Sequence, residues 1–253
     1  MISLEPGSAL TEKPSSFKRA AALIRELYRN ERAMWNAHYK RYFKIAARAV
    51  GLGFVIGFVF FLIHPEQEKR ALAYLMKAIG DIPRGAAPLD LALTLFYHNA
   101  GASALAVAAG IIPFACLPAL DPLANGAALG LLASVSKHQG LNVPVLFLRG
   151  IAPHGIIELP AVLYAASAGI YLSVSFAKRV LDKLRKRKDE TTRTPSTSPN
   201  GPDSGSFLES YAEKSGPDTE GAGGNVVRSF LLVVLPLLLV AAFVEAFITP
   251  LLL

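Results

Sequence analysis

The sequence contains a single cysteine, Cys116, among its 253 residues. One cysteine cannot form an intrachain disulfide bond, so the fold does not rely on an oxidising compartment. Charged residues are also scarce at 18%, whereas 52% of the residues are hydrophobic. The charges are concentrated in short stretches, and long blocks contain none. This segregation is typical of a multi-span membrane protein and excludes an ordinary soluble domain.

Three common catalytic motifs are missing from the sequence. It has no HExxH zinc-protease motif, no glycine-rich phosphate loop with Lys and Ser or Thr, and no GxSxG nucleophile elbow. We therefore predict that the chain is not an enzyme, does not itself hydrolyse ATP and needs no cofactor.

Apolar blocks predict an all-α integral membrane protein with about five transmembrane helices. The blocks are residues 45–63, 91–118, about 123–135, about 154–177 and 227–253. The third block is short, and the sequence DPLANG at 121–126 before it predicts a tight turn. Residues 141–153, broken by two prolines and Arg149, are too short to span and predict an interfacial or re-entrant segment.

Basic residues predict the orientation of these helices. Residues 1–48 hold ten Lys and Arg and residues 178–193 hold eight, out of 26 in the chain. Both clusters adjoin apolar blocks, so the positive-inside rule explains them better than nucleic-acid binding does, and both should be cytoplasmic. That arrangement requires an even number of crossings between them, and four blocks lie there.

These signals divide the chain into four parts within the cytoplasmic (inner) membrane. They are a cytoplasmic basic amphipathic segment at 1–44, a four-span membrane core at 45–177 with an extracytoplasmic loop at 64–90, a cytoplasmic linker at 178–226 that is basic and then disordered, and a fifth transmembrane helix at 227–253. The aromatic residues between 16 and 44 recur at helical spacing. This helix either lies in the lipid headgroup layer or packs on its own protein.

Five polar or ionisable residues of the apolar blocks are candidates for a site shielded from lipid, because a charge at mid-bilayer costs at least about 2.5–3.5 kcal/mol. They are His98, Asn99, His154, Glu158 and Glu245. His154 and Glu158 share one helix face because they are four residues apart. Such groups can bond one another and hold helices together, carry protons or ions, or bind a metal if three or four ligands converge.

Small residues predict places where helices approach closely. Gly53 and Gly57 are four residues apart, as are Gly126 and Gly130, and this spacing suits tight helix packing. Gly155 beside His154 also permits close backbone approach. We expect the small residues at 101–110 and 126–130 to pack within the chain or between two copies.

Four stretches carry a family resemblance, and they occur in a fixed order. They are FYHNAGASALAVAAGIIPF at 96–114, PLANGAALG at 122–130, PHGIIELPAVLYAASAG at 153–169 and AAFVEAFITP at 241–250. This pattern resembles the stage II sporulation protein M family of integral membrane proteins. The resemblance implies about five spans and motif positions at Asn99, Gly110, Asn125, Gly126, His154, Gly155, Glu158 and Glu245.

Founding members of the family act in engulfment during endospore formation, as membrane partners of peptidoglycan-degrading proteins, and no catalytic activity is established for them. The resemblance therefore implies a protein that assembles or anchors a membrane complex linked to cell-wall remodelling. Its partners would be the lipid bilayer, further copies of the chain, or other membrane and cell-wall proteins. A permease or channel subunit that uses buried Glu and His is the alternative, and an intramembrane metalloprotease is a third hypothesis.

Overall fold

The computed structural model describes residues 16–79, 87–113, 117–192 and 221–252. These ranges are helical and contain no strand, which confirms the all-α fold class. Four helical stretches within them are long and apolar enough to cross a membrane, namely Arg19–Ile63, Pro88–Ala109, Val143–Lys188 and Ala222–Leu251. The prediction of a disordered linker falls mostly on residues 193–220, which lie outside the described residues.

The first helical stretch consists of α1 (Ser16–Met34), a π turn (Trp35–Tyr39) and α2 (Lys40–Ile63). Its two halves have different surroundings. The side chains of Trp35, Tyr39 and Tyr42 pack into the core, whereas Leu23, Ile24 and Tyr28 are more than half exposed. Packing on the protein itself therefore accounts for the second half of the predicted amphipathic segment, and the first half has an apolar face that the described chain leaves uncovered.

Helix α5 (Leu120–His138) packs against α2 through glycine. A Cβ atom on Gly53 would lie 2.1 Å from the carbonyl oxygen of Leu123, and one on Gly126 would lie 2.1 Å from that of Val50. Only hydrogen at these positions lets the two backbones touch. Because Val50 adjoins Gly126 and Phe54 adjoins Gly130, the two helices run in the same direction.

The bounds of α5 correct two sequence predictions. The predicted tight turn DPLANG is the first part of the helix, because Pro122 falls in the first turn, where its missing N–H costs no hydrogen bond. The helix has 19 residues rather than the predicted 123–135, although it is not among the four long apolar stretches. A total of five spans therefore remains a prediction.

Helix α4 (Pro88–Ala109) runs alongside α7 (Ala152–Thr192) in the same direction. A Cβ on Gly110 would lie 2.2 Å from the carbonyl oxygen of Gly169, and the Ser173 hydroxyl donates a 3.0 Å hydrogen bond to the carbonyl of Ile112. The α4 helix ends at Ala109, nine residues short of the predicted end at 118, because the chain turns there ahead of Pro113.

A helical lead-in precedes α7 where we predicted an interfacial or re-entrant segment, at 141–153. Helix α6 (Val143–Leu146) begins at Asn142, whose side chain accepts a hydrogen bond from the Val145 N–H. A π turn (Phe147–Ile151) then joins it to α7 without a reversal. Pro144 does not break this helix because it lies in the first turn, where its backbone nitrogen needs no hydrogen bond.

The last stretch comprises five short elements that follow one another. They are α8 (Ala222–Ser229), a π turn (Phe230–Val234), α9 (Leu235–Phe243), a second π turn (Val244–Ile248) and a 3₁₀ turn (Thr249–Leu251). Pro236 lies in the first turn of α9, directly after the first π turn. Ser229 lies near Tyr164, and Glu245 lies near His154 at the start of α7, so the last stretch is antiparallel to α7.

Helix α3 (Pro65–Ile79) covers the end of α5. The Ser134 hydroxyl donates a hydrogen bond to Glu68, and His138 Nδ1 lies 3.0 Å from the same carboxylate. The ends of α2 and α5 and the starts of α4 and α7 are thus grouped at one end of the bundle. On the opposite side of α2, away from the glycines, large apolar residues are exposed as lipid-facing residues would be, including Leu52, Val55, Ile56, Val59 and Phe60.

Candidate functional site: a histidine and two glutamates where two helices meet

The structure brings together three of the ionisable residues from the apolar blocks. One ligand atom each from His154, Glu158 and Glu245 lies within 4.8 Å of the other two. All three residues are half-buried. Two of them come from the start of α7 and the third from the end of the last helical stretch, so the site forms only when these two segments pack together.

Local geometry explains how each side chain reaches the site. His154 and Glu158 lie one turn apart on α7 and therefore project from the same face. Glu245 lies on the π turn Val244–Ile248, whose extra residue shifts the side chains relative to an α-helix. A second π turn, Phe147–Ile151, directly precedes α7. Both segments that supply the site are thus interrupted by π turns beside it.

The electrostatics of the site are unbalanced. Glu158 and Glu245 place two carboxylates together, yet no Lys or Arg in the described ranges forms a salt bridge with either. Nδ1 of His154 is buried and has no hydrogen-bond partner among the residues that the structure describes. None of the three side chains hydrogen-bonds to another, so the site does not satisfy itself in the way that a purely structural polar cluster would.

A cavity of about 870 Å³ opens beside the site, between α5 and the start of α7. Most of its lining is apolar, from Leu, Ile, Ala, Pro and Phe side chains. The polar exceptions are His154, Glu158 and Asn125. A mostly apolar cavity with a few convergent polar groups is the usual form of a small-ligand site.

His98, which we predicted in the same cluster, does not join the three residues. His98 is exposed and is not part of the group within 4.8 Å. Asn99 is half-buried, and its side chain makes no hydrogen bond to the group in the described part of the chain. Because Gly110 faces Gly169, Asn99 lies at the same level along the bundle as Glu158.

The predicted packing residues fall into two groups. Gly110, Gly126 and Gly130 each lie directly against the backbone of a neighbouring helix. Gly155 differs, because a Cβ there would meet only Ile151 Cγ2, at an ordinary 3.4 Å. Asn125 also differs, because its side chain is exposed, lines the cavity and donates a 3.1 Å hydrogen bond to the Asp121 carbonyl.

A second polar cluster, which the sequence alone did not predict, is centred on Glu31. This carboxylate is 4% exposed and accepts hydrogen bonds from Tyr164 at 2.5 Å and Ser229 at 2.6 Å. Arg228 Nε lies 3.6 Å from its other oxygen. One feature of the sequence could have indicated this cluster. Glu31 lies one turn before Trp35, on the aromatic face of a mostly basic helix. The cluster joins α1, α7 and α8.

Comparisons with known proteins identify one family. The model of the family described as Stage II sporulation protein M matches residues 46–250. No curated protein and no solved structure matches the chain significantly. The matched region includes both helical segments that carry His154, Glu158 and Glu245. It begins inside α2 and leaves out α1 and the π turn after it.

Proposed function

Since the chain belongs to the stage II sporulation protein M family of membrane proteins, we propose that it is a non-enzymatic scaffold that assembles or anchors a membrane complex. Its partners in this proposal act on the cell wall. The basic segments at 16–48 and 178–192 face the cytoplasm of the inner membrane, and the end of the bundle that carries the three-residue site faces outward.

The observation that carries the proposal is the uncovered face of α1. Leu23, Ile24 and Tyr28 are 59%, 55% and 52% exposed, and basic residues flank them. Exposed apolar side chains of this size mark interaction sites when they are contiguous. Ile24 and Tyr28 lie one turn apart on the same helix face and Leu23 lies at its edge, which suits a groove or helix on a partner.

Two features make α1 a docking element rather than a loose terminus. Its C-terminal end is held in the protein through buried Glu31 and through Trp35, which stacks on Tyr164 with ring centroids 5.5 Å apart. It also lies before the region that the family model matches, residues 46–250. An anchored helix with an uncovered apolar face supports recruitment of a partner by this particular chain.

Photo-crosslinking in native membranes tests the proposal. A photoreactive amino acid at Leu23 should capture one protein partner, and the cytoplasmic part of the membrane anchor of a wall-active enzyme is expected. The control position is Tyr74 on α3, which is 77% exposed and should give no such product. In the chain that keeps the photoreactive residue at position 23, Ile24→Asp should abolish the product without changing the fold.

Other outcomes would redirect the assignment. Products with lipid alone at Leu23 would place α1 in the headgroup layer and contradict partner docking. Proton or solute flux in proteoliposomes that is lost in Glu158→Gln and Glu245→Gln, while crosslinking and assembly persist, would favour a permease subunit and defeat the scaffold proposal.

A further inference from the structure

We propose that His154, Glu158 and Glu245 bind a divalent metal ion of the zinc class. The three residues supply one imidazole nitrogen and two carboxylate oxygens from two helical segments, and their ligand atoms lie within 4.8 Å of one another. This site is independent of the partner that α1 recruits. It can exist in a scaffold, and its absence would leave the docking proposal intact.

The ligand types indicate which ion fits. Zinc commonly takes three protein ligands drawn from His, Glu and Asp and keeps a fourth position for water or another ligand. Calcium and magnesium prefer oxygen ligands alone, so the imidazole of His154 makes them poorer candidates. Single side-chain atoms from Glu158 and Glu245 complete a set of three, which predicts an open fourth position.

The electrostatics of the site favour a bound cation. Two carboxylates lie close together in a half-buried site, and no basic side chain in the described ranges is paired with them. A divalent ion would neutralise both Glu158 and Glu245 and accept the lone pair of His154. The buried Nδ1 of His154 is otherwise without a partner. A hydrogen-bonded cluster would need bonds that these side chains do not make.

The surrounding backbone and cavity support a ligand site rather than ordinary packing. Glu245 projects from the π turn Val244–Ile248, and π turns recur at functional sites because they redirect side chains. His154 and Glu158 also line the cavity of about 870 Å³, so the open coordination position can face space large enough for water or a small ligand. The ion would tie the end of the last helical stretch to the start of α7.

Metal analysis of the purified full-length protein in detergent tests the inference. After chelation and reloading with Zn²⁺, we expect one ion per chain, and Co²⁺ should give visible absorption bands of a low-symmetry site. Substituting a residue that only supports a metal ligand usually weakens metal binding by roughly 10–100-fold. Glu245→Gln and Glu158→Gln each remove a direct ligand, so each should weaken Zn²⁺ binding by more than that. Glu68→Gln is the matched control, because Glu68 is a buried carboxylate that lies beside His138 and is not part of the proposed metal site. This variant should bind Zn²⁺ as well as the wild type.

Substitutions of His154 separate metal binding from hydrogen bonding. His154→Cys keeps a zinc ligand and should retain the ion, whereas His154→Gln keeps hydrogen-bonding capacity and should lose it. Size-exclusion profile and helix content establish which variants fold. Wild-type protein that binds no stoichiometric Zn²⁺ or Co²⁺ would overturn the inference, as would equal metal binding by wild type and the folded Glu245→Gln or His154→Gln variants.

Discussion

The Tyr164 hydroxyl donates a 2.5 Å hydrogen bond to Glu31, although 133 residues separate the two in sequence. This bond joins the helix before the family core to the middle of α7. Ser229 donates a hydrogen bond to the same carboxylate oxygen, so the last helical stretch meets both α1 and α7 at this point. A single buried acidic side chain therefore orients α1, whose exposed face we propose as the docking surface.

Glu31→Ala should destabilise the protein by about 2–4 kcal/mol, because it leaves two buried hydroxyls and Arg228 without their acceptor. The midpoint of unfolding in detergent measures the effect. Glu26→Ala is the control on the same helix. Its carboxylate is exposed and pairs only with Arg29, so the change should stay within about 0.5 kcal/mol. Equal destabilisation by the two substitutions would show that the Glu31 contacts contribute nothing specific.

Composition and periodicity predicted the helical fold, because long apolar runs can satisfy their backbone groups in lipid only as helices. The pairing of His154 with Glu158 was also predictable, since their spacing fixes their common face. Their meeting with Glu245 depends on how two distant segments pack, and spacing carries no information on that. His98 shows the same limit, because it adjoins Asn99 in sequence yet points to an exposed side of α4.

Element boundaries were less predictable than element type. DPLANG contains the residues of a turn, but proline and aspartate also suit the first turn of a helix, and α5 uses them there. Glu31 was missed for a different reason. A glutamate in a polar, basic helix is usually solvated, and only the partners from α7 and α8 make its burial favourable.

Gly53→Ala should be far more damaging than Gly51→Ala, although the two glycines are two residues apart on α2. A methyl group at position 53 would lie 2.1 Å from the Leu123 backbone oxygen, and α2 and α5 would have to separate. We expect a loss of about 1–3 kcal/mol or more. Position 51 has nothing within 4 Å, so alanine there should leave stability unchanged or raise it by up to about 1 kcal/mol. Similar unfolding midpoints for both variants would contradict the close α2–α5 contact.

The contact between α3 and α5 should depend on Glu68. This residue is 7% exposed, accepts a hydrogen bond from Ser134 and lies 3.0 Å from His138 Nδ1. Glu68→Ala should cost about 1–3 kcal/mol, since it leaves the Ser134 hydroxyl unpaired in a buried position. Protease sensitivity of α3, together with the unfolding midpoint, measures the loss. Glu66→Ala removes only an exposed pair with Lys69 and should have almost no effect, so a matching loss there would refute a specific role for Glu68.

Whether α5 crosses the membrane decides between five spans and four. Its 19 residues give a length of about 28 Å, close to the roughly 30 Å thickness of a hydrocarbon core. In a Cys116→Ser background, a cysteine replacing Gln139 should react with a membrane-impermeant thiol reagent in intact cells, as one replacing Gln67 should. A cysteine replacing Leu120 should react only after permeabilisation, in the same way as one replacing Lys186. Labelling of the Leu120 and Gln139 positions from the same side would mean that α5 does not cross the membrane. An odd number of crossings would then separate the two basic segments, so they could not both be cytoplasmic. This result would contradict both the count of five spans and the proposed orientation.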